Sequence, residues 1–224
     1  MTPRRLAIPC VMLLTLPAAG QEADAAVRKA AALARLKKLS IAPSRESLQA
    51  AALAREAALV IALLDAGVDP NAEDPRLPRS VLSLAAVVGC QDKDADPEAR
   101  DAVVAALLAG GADPNAVEPG QIPLFVYVAQ QCPRPVVEAF LKAGARLDAR
   151  TPQGFTPLSM ALIVGNLDAA EALLDHGARL SPEARAKLFP EPPTDPRLAA
   201  LVKRAAGPPP KNKPEASSPR PPRP

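Results

Sequence analysis

Two cysteines, Cys90 and Cys132, are the residues whose type and number most directly suggest chemistry in this chain of 224 residues. The third cysteine, Cys10, lies in an N-terminal apolar segment that we expect to be removed, so an even number remains. In an oxidising compartment, an even number of cysteines favours a disulfide. The alternative is a pair of free thiols that behave as small apolar side chains.

Three aspartates alternate over residues 92–96, directly after the first of these cysteines. This spacing opens the twelve-residue calcium loop, which also requires glycine at its sixth position and glutamate at its twelfth. Here Pro97 and Val103 occupy those two positions. The polar composition and the proline instead predict a solvated surface loop over 91–100, and we expect no metal site.

His176 is the single histidine, and a lone histidine supplies neither a metal cluster nor the partners for acid–base catalysis. It stands at the end of a predicted helix, where a cation is favourable. The sequence contains no G-x-S-x-G, no H-E-x-x-H and no phosphate loop ending in Lys-Ser or Lys-Thr. We therefore predict no enzymatic activity and no cofactor.

The composition is poor in large rings, since aromatic residues make up 2% and hydrophobic residues 48%. Small side chains suit helices that lie close together in thin layers. The formal net charge of +3 comes from the two ends of the chain, and residues 21–207 carry a net charge of −2. A nearly neutral body gives no reason to expect nucleic acid as a partner.

The N-terminal segment has the order of a secretory signal peptide. Two arginines precede an apolar run from Leu6 to Leu16, and small residues follow up to Gly20. The run is too short to cross a hydrocarbon core of about 30 Å as a helix. We predict a signal peptide over 1–20, export to a bacterial periplasm and no membrane span after cleavage, with an uncleaved anchor as the alternative.

Four glycines, each after a paired hydrophobic stretch, recur at separations of 44, 33 and 33 residues. A period near 33 is typical of a stacked repeat. The first interval is longer because it contains the polar insertion. We predict four repeats with helical caps at both ends of the stack. The predicted segments are a capping helix over 21–40, repeats over 41–70, 71–114, 115–148 and 149–180, and capping helices over 181–207.

Each repeat has the internal order of two helices separated by a turn, which is clearest over residues 156–177. Apolar residues at three-and-four spacing predict a first helix that starts at Pro157 and a second helix that follows Gly165. Glycine past the last apolar residue of the second helix predicts a left-handed C-cap. The sequence Asp-Pro-Asn, at 69–71 and 113–115, is typical of a turn into the next unit.

This pattern resembles the ankyrin repeat. The family's G-x-T-P-L-x-x-A opening and its L-L-x-x-G-A-D-x-N close match Gly154, Thr156, Pro157, Leu158 and Ala161, and Leu107, Leu108, Gly111, Ala112, Asp113 and Asn115. The resemblance implies an all-α repeat solenoid, an ankyrin-like stack of helix-turn-helix units with short hairpin connections. It also implies protein recognition without catalysis. We expect a monomer with an unidentified protein partner.

The family's usual contact positions lie in the hairpin tips and on the first helices, and the resemblance transfers them to this chain. Phe155 is the best candidate for an anchor, because a ring in an exposed turn can fill a partner's pocket. Its alternative role is contact with its own hairpin. The implied protein-binding residues are Arg76, Arg79, Gln121, Gln130, Gln131, Gln153, Phe155, Ile163 and Val164.

Cys90 and Cys132 occupy the same position in adjacent predicted repeats, since each lies ten residues after the start of its first helix, at Ser80 or Ile122. Neighbouring helices lie about 8–10 Å apart, whereas a disulfide needs Cα atoms within about 7 Å. A bond therefore requires a local adjustment, for which the insertion and Pro133 are candidates. We predict a bond that stabilises the fold by up to about 4 kcal/mol.

The segment 208–224 has eight prolines in seventeen residues, which excludes a helix and favours a disordered, basic, extended tail. It serves as a solubilising terminus, or it contacts anionic envelope material or a proline-reading module. Two function classes therefore remain open. One is a periplasmic module that binds a protein partner, with inhibition, toxin immunity or stress support as special cases. The other is a cell-envelope scaffold that uses the tail.

Overall fold

The protein folds as two layers of short helices that stack along one direction. In this computed structural model the described residues are 18–73, 79–92, 94 and 96–207. Residues 1–17 of the predicted signal peptide and the whole predicted tail, 208–224, lie outside the described residues. Helices with one two-stranded hairpin make up the regular structure of the described part, in agreement with the predicted all-α repeat solenoid.

The helices follow one another in pairs joined by short turns. Helix α1 (Ala18–Lys38) precedes the pairs and begins within the predicted signal peptide. A hairpin of β1 (Val117–Glu118) and β2 (Ile122–Pro123) precedes the third pair and is antiparallel. The pairs are α2 (Arg45–Leu53) with α3 (Ala57–Asp65); α4 (Val81–Ser83), a π-helical segment (Leu84–Val88) and α5 (Gly89–Gln91) with α6 (Pro97–Ala109); α7 (Leu124–Gln131) with α8 (Arg134–Lys142); α9 (Pro157–Val164) with α10 (Leu167–Asp175); and α11 (Pro182–Leu188) with α12 (Pro196–Ala205).

First helices contact first helices, and second helices contact second helices. The first-helix layer contains α2, the helix from α4 to α5, α7 and α9, and the second-helix layer contains α3, α6, α8, α10 and α12. The long helix α1 packs against α3 at the N-terminal end of the stack. Each pair thus buries an apolar surface that its neighbour leaves open. Every pair lies inside one predicted repeat or cap, while the segment boundaries themselves stay predictions.

The fourth pair shows why this sequence forms helices where it does. Thr156 caps α9, because its Oγ1 accepts a hydrogen bond from Ser159 N (3.2 Å) and Ser159 Oγ accepts one from Thr156 N (2.7 Å). Pro157 takes the first helical position, where no amide donor is lost. Gly165 then ends the helix with a φ of 77°, a left-handed conformation that costs a residue with a Cβ about 1–2 kcal/mol. The predicted helix-turn-helix order is present here.

The four repeated glycines end the second helices. Their φ angles lie between 92° and 97° at Gly67, Gly111, Gly144 and Gly177. The residue after each glycine donates its N–H to a carbonyl five residues back, as Val68 does to Leu63 (3.1 Å). This is the left-handed C-cap that the glycine spacing predicts, so the repeat period marks the ends of the second helices.

Two asparagines of the Asp-Pro-Asn turns connect successive turns that follow the second helices. Asn71 donates from Nδ2 to the Gly111 carbonyl (2.8 Å), and its Oδ1 accepts from Asp113 N (2.8 Å). Asn115 makes the same two bonds to the next turn, at 3.1 and 2.8 Å. Because an amide side chain both donates and accepts, each asparagine satisfies two main-chain groups of the following turn.

The second pair departs from the others in two places. Its first helix contains the π-helical segment Leu84–Val88, for which the sequence contains no signal. The prediction of a loop over 91–100 is wrong at both ends, because Gln91 belongs to α5 and residues from Pro97 onward form α6. Asp96 caps α6 by accepting a main-chain N–H (3.0 Å), and proline suits the first helical position.

A continuous apolar core runs between the two layers from α1 to α12. Most of its side chains are Ala, Val and Leu. The largest are Phe125 and Phe140, which are fully buried in the third pair with ring centroids 5.9 Å apart. Thin layers built on small side chains agree with the prediction from composition.

The second helices are joined by partly exposed ion pairs. Asp175 of α10 accepts hydrogen bonds from Arg134 of α8 (3.0 Å) and Arg204 of α12, and Arg197 of α12 donates to Asp168 of α10 (2.6 Å). Partial burial on its own raises the pKa of Asp175, but the hydrogen bonds from Arg204 and Arg134 outweigh burial and hold the pKa below its usual value. These side chains are at least 40% exposed, so each pair contributes only about 0.2–1 kcal/mol.

Candidate partner-binding face

The hairpin of β1 and β2 presents Gln121 at its tip. Gly120 and Gln121 have positive φ angles of 83° and 60°, and the Gln121 side chain is exposed. Glu118 of β1 is buried and accepts a hydrogen bond from Ser80 Oγ (3.2 Å), which attaches the hairpin to the preceding repeat. The hairpin therefore supports one exposed polar side chain on an anchored main chain.

The turn before α9 presents Gln153 and Phe155. Thr151 N donates to the Phe155 carbonyl (3.0 Å), and Phe155 N donates to Thr151 Oγ1 (3.2 Å), so the turn is closed on itself. Gln153 is exposed and Phe155 is half-buried. The Phe155 ring is thus neither fully covered by its own turn nor fully exposed, and lies between the two alternatives predicted for it.

The segment before α4 contains the predicted contact residues Arg76 and Arg79. Arg79 is exposed, and Arg76 lies outside the described residues. Arg45 of α2 holds the main chain at Ala72 and at Arg79, since its guanidinium donates to the carbonyls of these two residues (2.7 and 3.2 Å). The Arg79 side chain therefore also extends from an anchored main chain. No sequence argument pointed to Arg45.

The other four predicted contact residues lie at the C-terminal ends of α7 and α9. Gln130 and Gln131 are half-buried, and Gln131 accepts a hydrogen bond from Gln91 of the preceding repeat. Ile163 and Val164 are 45% and 44% exposed, although large aliphatic side chains are usually buried. Because α7 and α9 are neighbours, these residues form one mixed apolar and amide surface, the helix-end patch (Gln130, Gln131, Ile163 and Val164).

The predicted contact residues thus form two groups rather than one continuous surface. The hairpin group (Arg79, Gln121, Gln153 and Phe155) lies at the N-terminal ends of the first helices, and the helix-end patch lies at their C-terminal ends. Helix α7 has eight residues, which gives a separation of about 12 Å along the helix axis. A partner that contacts both groups must cover the whole length of the first-helix layer.

Cys90 and Cys132 lie beside the helix-end patch at disulfide distance. Their Cα atoms are 5.2 Å apart, within the limit of about 7 Å for a bond. Cys132 is fully buried and Cys90 is half-buried. Two departures from regular helix lie beside this pair. The π-helical segment lies just before Cys90, and α7 ends at Gln131, so that Cys132 is extended.

Asn166 occupies the corresponding position of the fourth repeat, ten residues after Thr156. Its Nδ2 donates to the carbonyls of Ala129 (3.1 Å) and Cys132 (2.8 Å), while its Oδ1 caps α10 by accepting from Ala169 N (3.4 Å). The side chain joins the third and fourth repeats beneath the helix-end patch. The sequence offered a signal for this residue, because Cys90 and Cys132 occupy the same position in the two preceding repeats.

A cavity that the sequence did not predict lies between the turn before α9 and helix α11. It has a volume of about 100 Å³, whereas small-molecule sites measure roughly 300–1,000 Å³. The apolar part of its lining comes from Phe155 and Leu188. Its basic part comes from Arg150, Arg179 and Lys187. The volume therefore fits a side chain better than a cofactor. Nothing in the sequence indicates that α11 folds over this turn.

The side chains considered for metal or acid–base chemistry have structural partners. His176 Nδ1 lies 2.9 Å from the Ala172 carbonyl at the end of α10. The hydrogen bond from Arg55, aided by the N–H of Asp94, lowers the pKa of Asp92. Over the described residues, no three His, Cys, Asp or Glu side chains are grouped as metal ligands. No helix in that part of the chain is both long and apolar enough to cross a membrane.

Helix pairs stacked in two layers, with a hairpin and turns beside the first helices, define a repeat solenoid. Residues 97–184 match the family model for ankyrin repeats, in three copies. The resemblance seen in the sequence is confirmed over the segment from the start of α6 into α11. A comparison with curated proteins found no match. Ankyrin repeats indicate a protein–protein interaction module and are generally non-catalytic.

Proposed function

We propose that this protein is a non-catalytic periplasmic module that binds a protein partner through its first-helix layer and hairpin group. The observation that carries the proposal is the exposure of Ile163 and Val164, at 45% and 44%, on the layer that also holds the anchored hairpins. A contiguous exposed apolar patch with a polar rim marks an interaction site, whereas scattered single side chains do not, and Ile163 and Val164 are consecutive. Phe155 supplies a ring at the opposite end of the same face.

The anchoring of the main chain favours recognition by a preformed surface. Arg45, Glu118 and Thr151 each hold one hairpin or turn through hydrogen bonds. Binding then orders only the contact side chains, at about 0.5–1.5 kcal/mol for each immobilised side chain. Two contact groups about 12 Å apart suit a folded partner that reaches both at once.

Export is the second part of the proposal. It is supported by the predicted signal peptide over 1–20 and by the Cys90–Cys132 pair at disulfide distance, because disulfides persist in oxidising compartments. Inhibition of an exported enzyme, immunity to a toxin and support of stress defence are forms of the same binding function.

Affinity capture from the periplasmic fraction, read by mass spectrometry, tests the binding function. The wild-type protein is compared with Arg79→Ala combined with Phe155→Ala, and with a control in which Lys142→Ala and Lys203→Ala change the second-helix layer. We expect one protein to be enriched by the wild type and the control and lost with the face variant. Equal enrichment by all three proteins contradicts the proposal. The mass of the exported protein is expected to correspond to a start near residue 21.

The alternative function is an envelope scaffold, and the formal charge of +3 on segment 208–224 favours it. A variant that ends at Gly207 separates the two functions. Loss of envelope association with intact partner capture supports the scaffold. Intact envelope association in the shortened variant, with capture dependent on Phe155 and Arg79, supports the binding module.

A further inference from the structure

The charged side chains that line the cavity beside α11 are all basic. Arg150, Arg179 and Lys187 line it, and none of the described lining residues is acidic. Residues 21–207 carry a net charge of −2, so this cluster of cations differs from the average of the body. Burial, and then the positive charge of Arg204, lower the pKa of Arg179. An arginine nevertheless stays protonated at neutral pH.

Main-chain carbonyls hold two of these cations in place. Arg150 Nη1 donates to the carbonyl of Gly154 (3.2 Å) in the turn before α9. The Arg179 guanidinium donates to the carbonyls of Ala178 (2.6 Å) and Gly207 (3.1 Å). Because a guanidinium has five donors, the single bond to Gly154 positions Arg150 and leaves other donors of that side chain for an anion, while Arg179 adds its positive charge to the wall.

Apolar surface borders the basic residues because α11 does not fill the space beneath it. Helix α11 has no buried residue, whereas α12 of the same pair buries Leu201 and Val202. Leu188 of α11 and Phe155 of the turn are both half-buried and both line the cavity. The cavity therefore combines a positive wall with an aromatic and an aliphatic surface.

We propose that this cavity receives one acidic side chain from an acidic segment of the protein partner, with its carboxylate between Arg150 and Lys187 and its methylene groups against Phe155. The inference rests on the proposed function, and it specifies the chemical class of the partner residue that binds at one end of the proposed face. Carboxylates form strong charge-assisted hydrogen bonds with guanidinium and ammonium groups. A volume of about 100 Å³ admits a single side chain. The protein's own segment 208–224 does not match the cavity, because its formal charge is +3.

Fluorescence anisotropy with labelled peptides tests the inference on the purified exported protein. The probe is a short peptide of repeating Glu-Asp-Leu, and its neutral counterpart has Gln and Asn in place of Glu and Asp. We expect the acidic peptide to bind about ten-fold more tightly or better, with an affinity that falls between about 50 and 300 mM NaCl.

Two double variants, which change the net charge by the same amount, test whether the acidic peptide binds in the cavity. Arg150→Glu with Lys187→Glu reverses the basic wall, and Lys142→Glu with Arg185→Glu changes exposed residues outside the cavity. We expect the first variant to lose affinity for the acidic peptide by about ten-fold or more and the control to stay within about two-fold of the wild type. Circular dichroism checks the fold, and Arg150→Gln with Lys187→Gln repeats the test if the reversal unfolds the protein.

Three results would overturn the inference. These are equal losses of affinity in both double variants, equal binding of the neutral peptide, and tighter binding of a heparin oligosaccharide than of the acidic peptide. If the acidic peptide fails to bind while partner capture still depends on Arg79 and Phe155, the proposed function stands and the cavity assignment fails. If that capture also fails, the proposed function fails with it.

Discussion

The side-chain amide of Asn166 donates to the carbonyl of Cys132 across 2.8 Å and thereby ties the fourth repeat to the third. Cys132 is in turn placed at disulfide distance from Cys90, the corresponding residue of the second repeat. One column of equivalent positions therefore carries two different inter-repeat links, a predicted disulfide and a pair of hydrogen bonds. Both lie at the end of the first helices, beside the helix-end patch.

The covalent link is expected to stabilise the stack by about 4 kcal/mol, since it closes a loop of 42 residues in the unfolded chain. Cys90→Ser with Cys132→Ser should lower the free energy of unfolding by about that amount in urea titrations. Reductant should destabilise the wild type and leave the variant unchanged. Titration of the unfolded, non-reduced exported protein should find no reactive thiol. Two reactive thiols would rule the link out.

Asn166 is expected to stabilise the fold through two inter-repeat hydrogen bonds and one that caps α10. Asn166→Ala removes both inter-repeat bonds and the cap of α10, and should lower the free energy of unfolding by about 2–3 kcal/mol. Asn166→Ser retains a capping oxygen but is too short to reach the two carbonyls, so its loss should be smaller by about 1 kcal/mol. Urea midpoints of the three proteins measure the difference. An alanine variant within about 0.5 kcal/mol of the wild type contradicts this account.

Acid is expected to weaken the second-helix layer through Asp175. Its pKa is lowered in the folded protein, because hydrogen bonds from Arg204 and Arg134 outweigh its partial burial. The stabilisation is therefore present above the ordinary aspartate pKa of about 3.9 and is lost as the pH falls through the lower folded value. With 40% of the side chain exposed, Asp175→Asn should cost about 0.5–1 kcal/mol at pH 7 after screening by solvent.

The measurement is urea unfolding of the wild type and Asp175→Asn from neutral to strongly acidic pH. The difference between the two proteins should shrink towards zero at the acidic end. Asp24→Asn, a change at an exposed aspartate of α1, serves as the control and should show no comparable difference at neutral pH. A gap between wild type and Asp175→Asn that stays constant with pH contradicts the role given to the ion pairs.

Repetition made the helix ends predictable from the sequence. Gly177 and its three counterparts share one local role, a left-handed C-cap, so their spacing alone marks where the second helices stop. The start of α6 was missed. Asp96 and Pro97 are typical of a helix start, but the polar residues around them led to the prediction of a loop. The π-helical segment Leu84–Val88 has an ordinary apolar sequence, so local sequence patterns do not indicate its conformation.

The sequence predicted the parts of the candidate site that occupy fixed positions within a repeat. It did not predict the cavity, which depends on how helix α11 packs. Gln121 and Val164 are exposed because of their position within a repeat. The cavity requires that Lys187 of α11 comes close to Arg150 of the preceding turn. That approach depends on long-range tertiary contacts, which local periodicity does not encode.

Site-specific photo-cross-linking in cells that export the protein tests the central claim most directly. A photoreactive residue is placed at Phe155 or Val164 on the proposed face, and at Ala105 or Lys142 on the second-helix layer as controls, all at positions with at least partial exposure. The account predicts adducts with another protein from the first two positions and none from the controls. Adducts formed equally from both layers, or only from the second-helix layer, would contradict it.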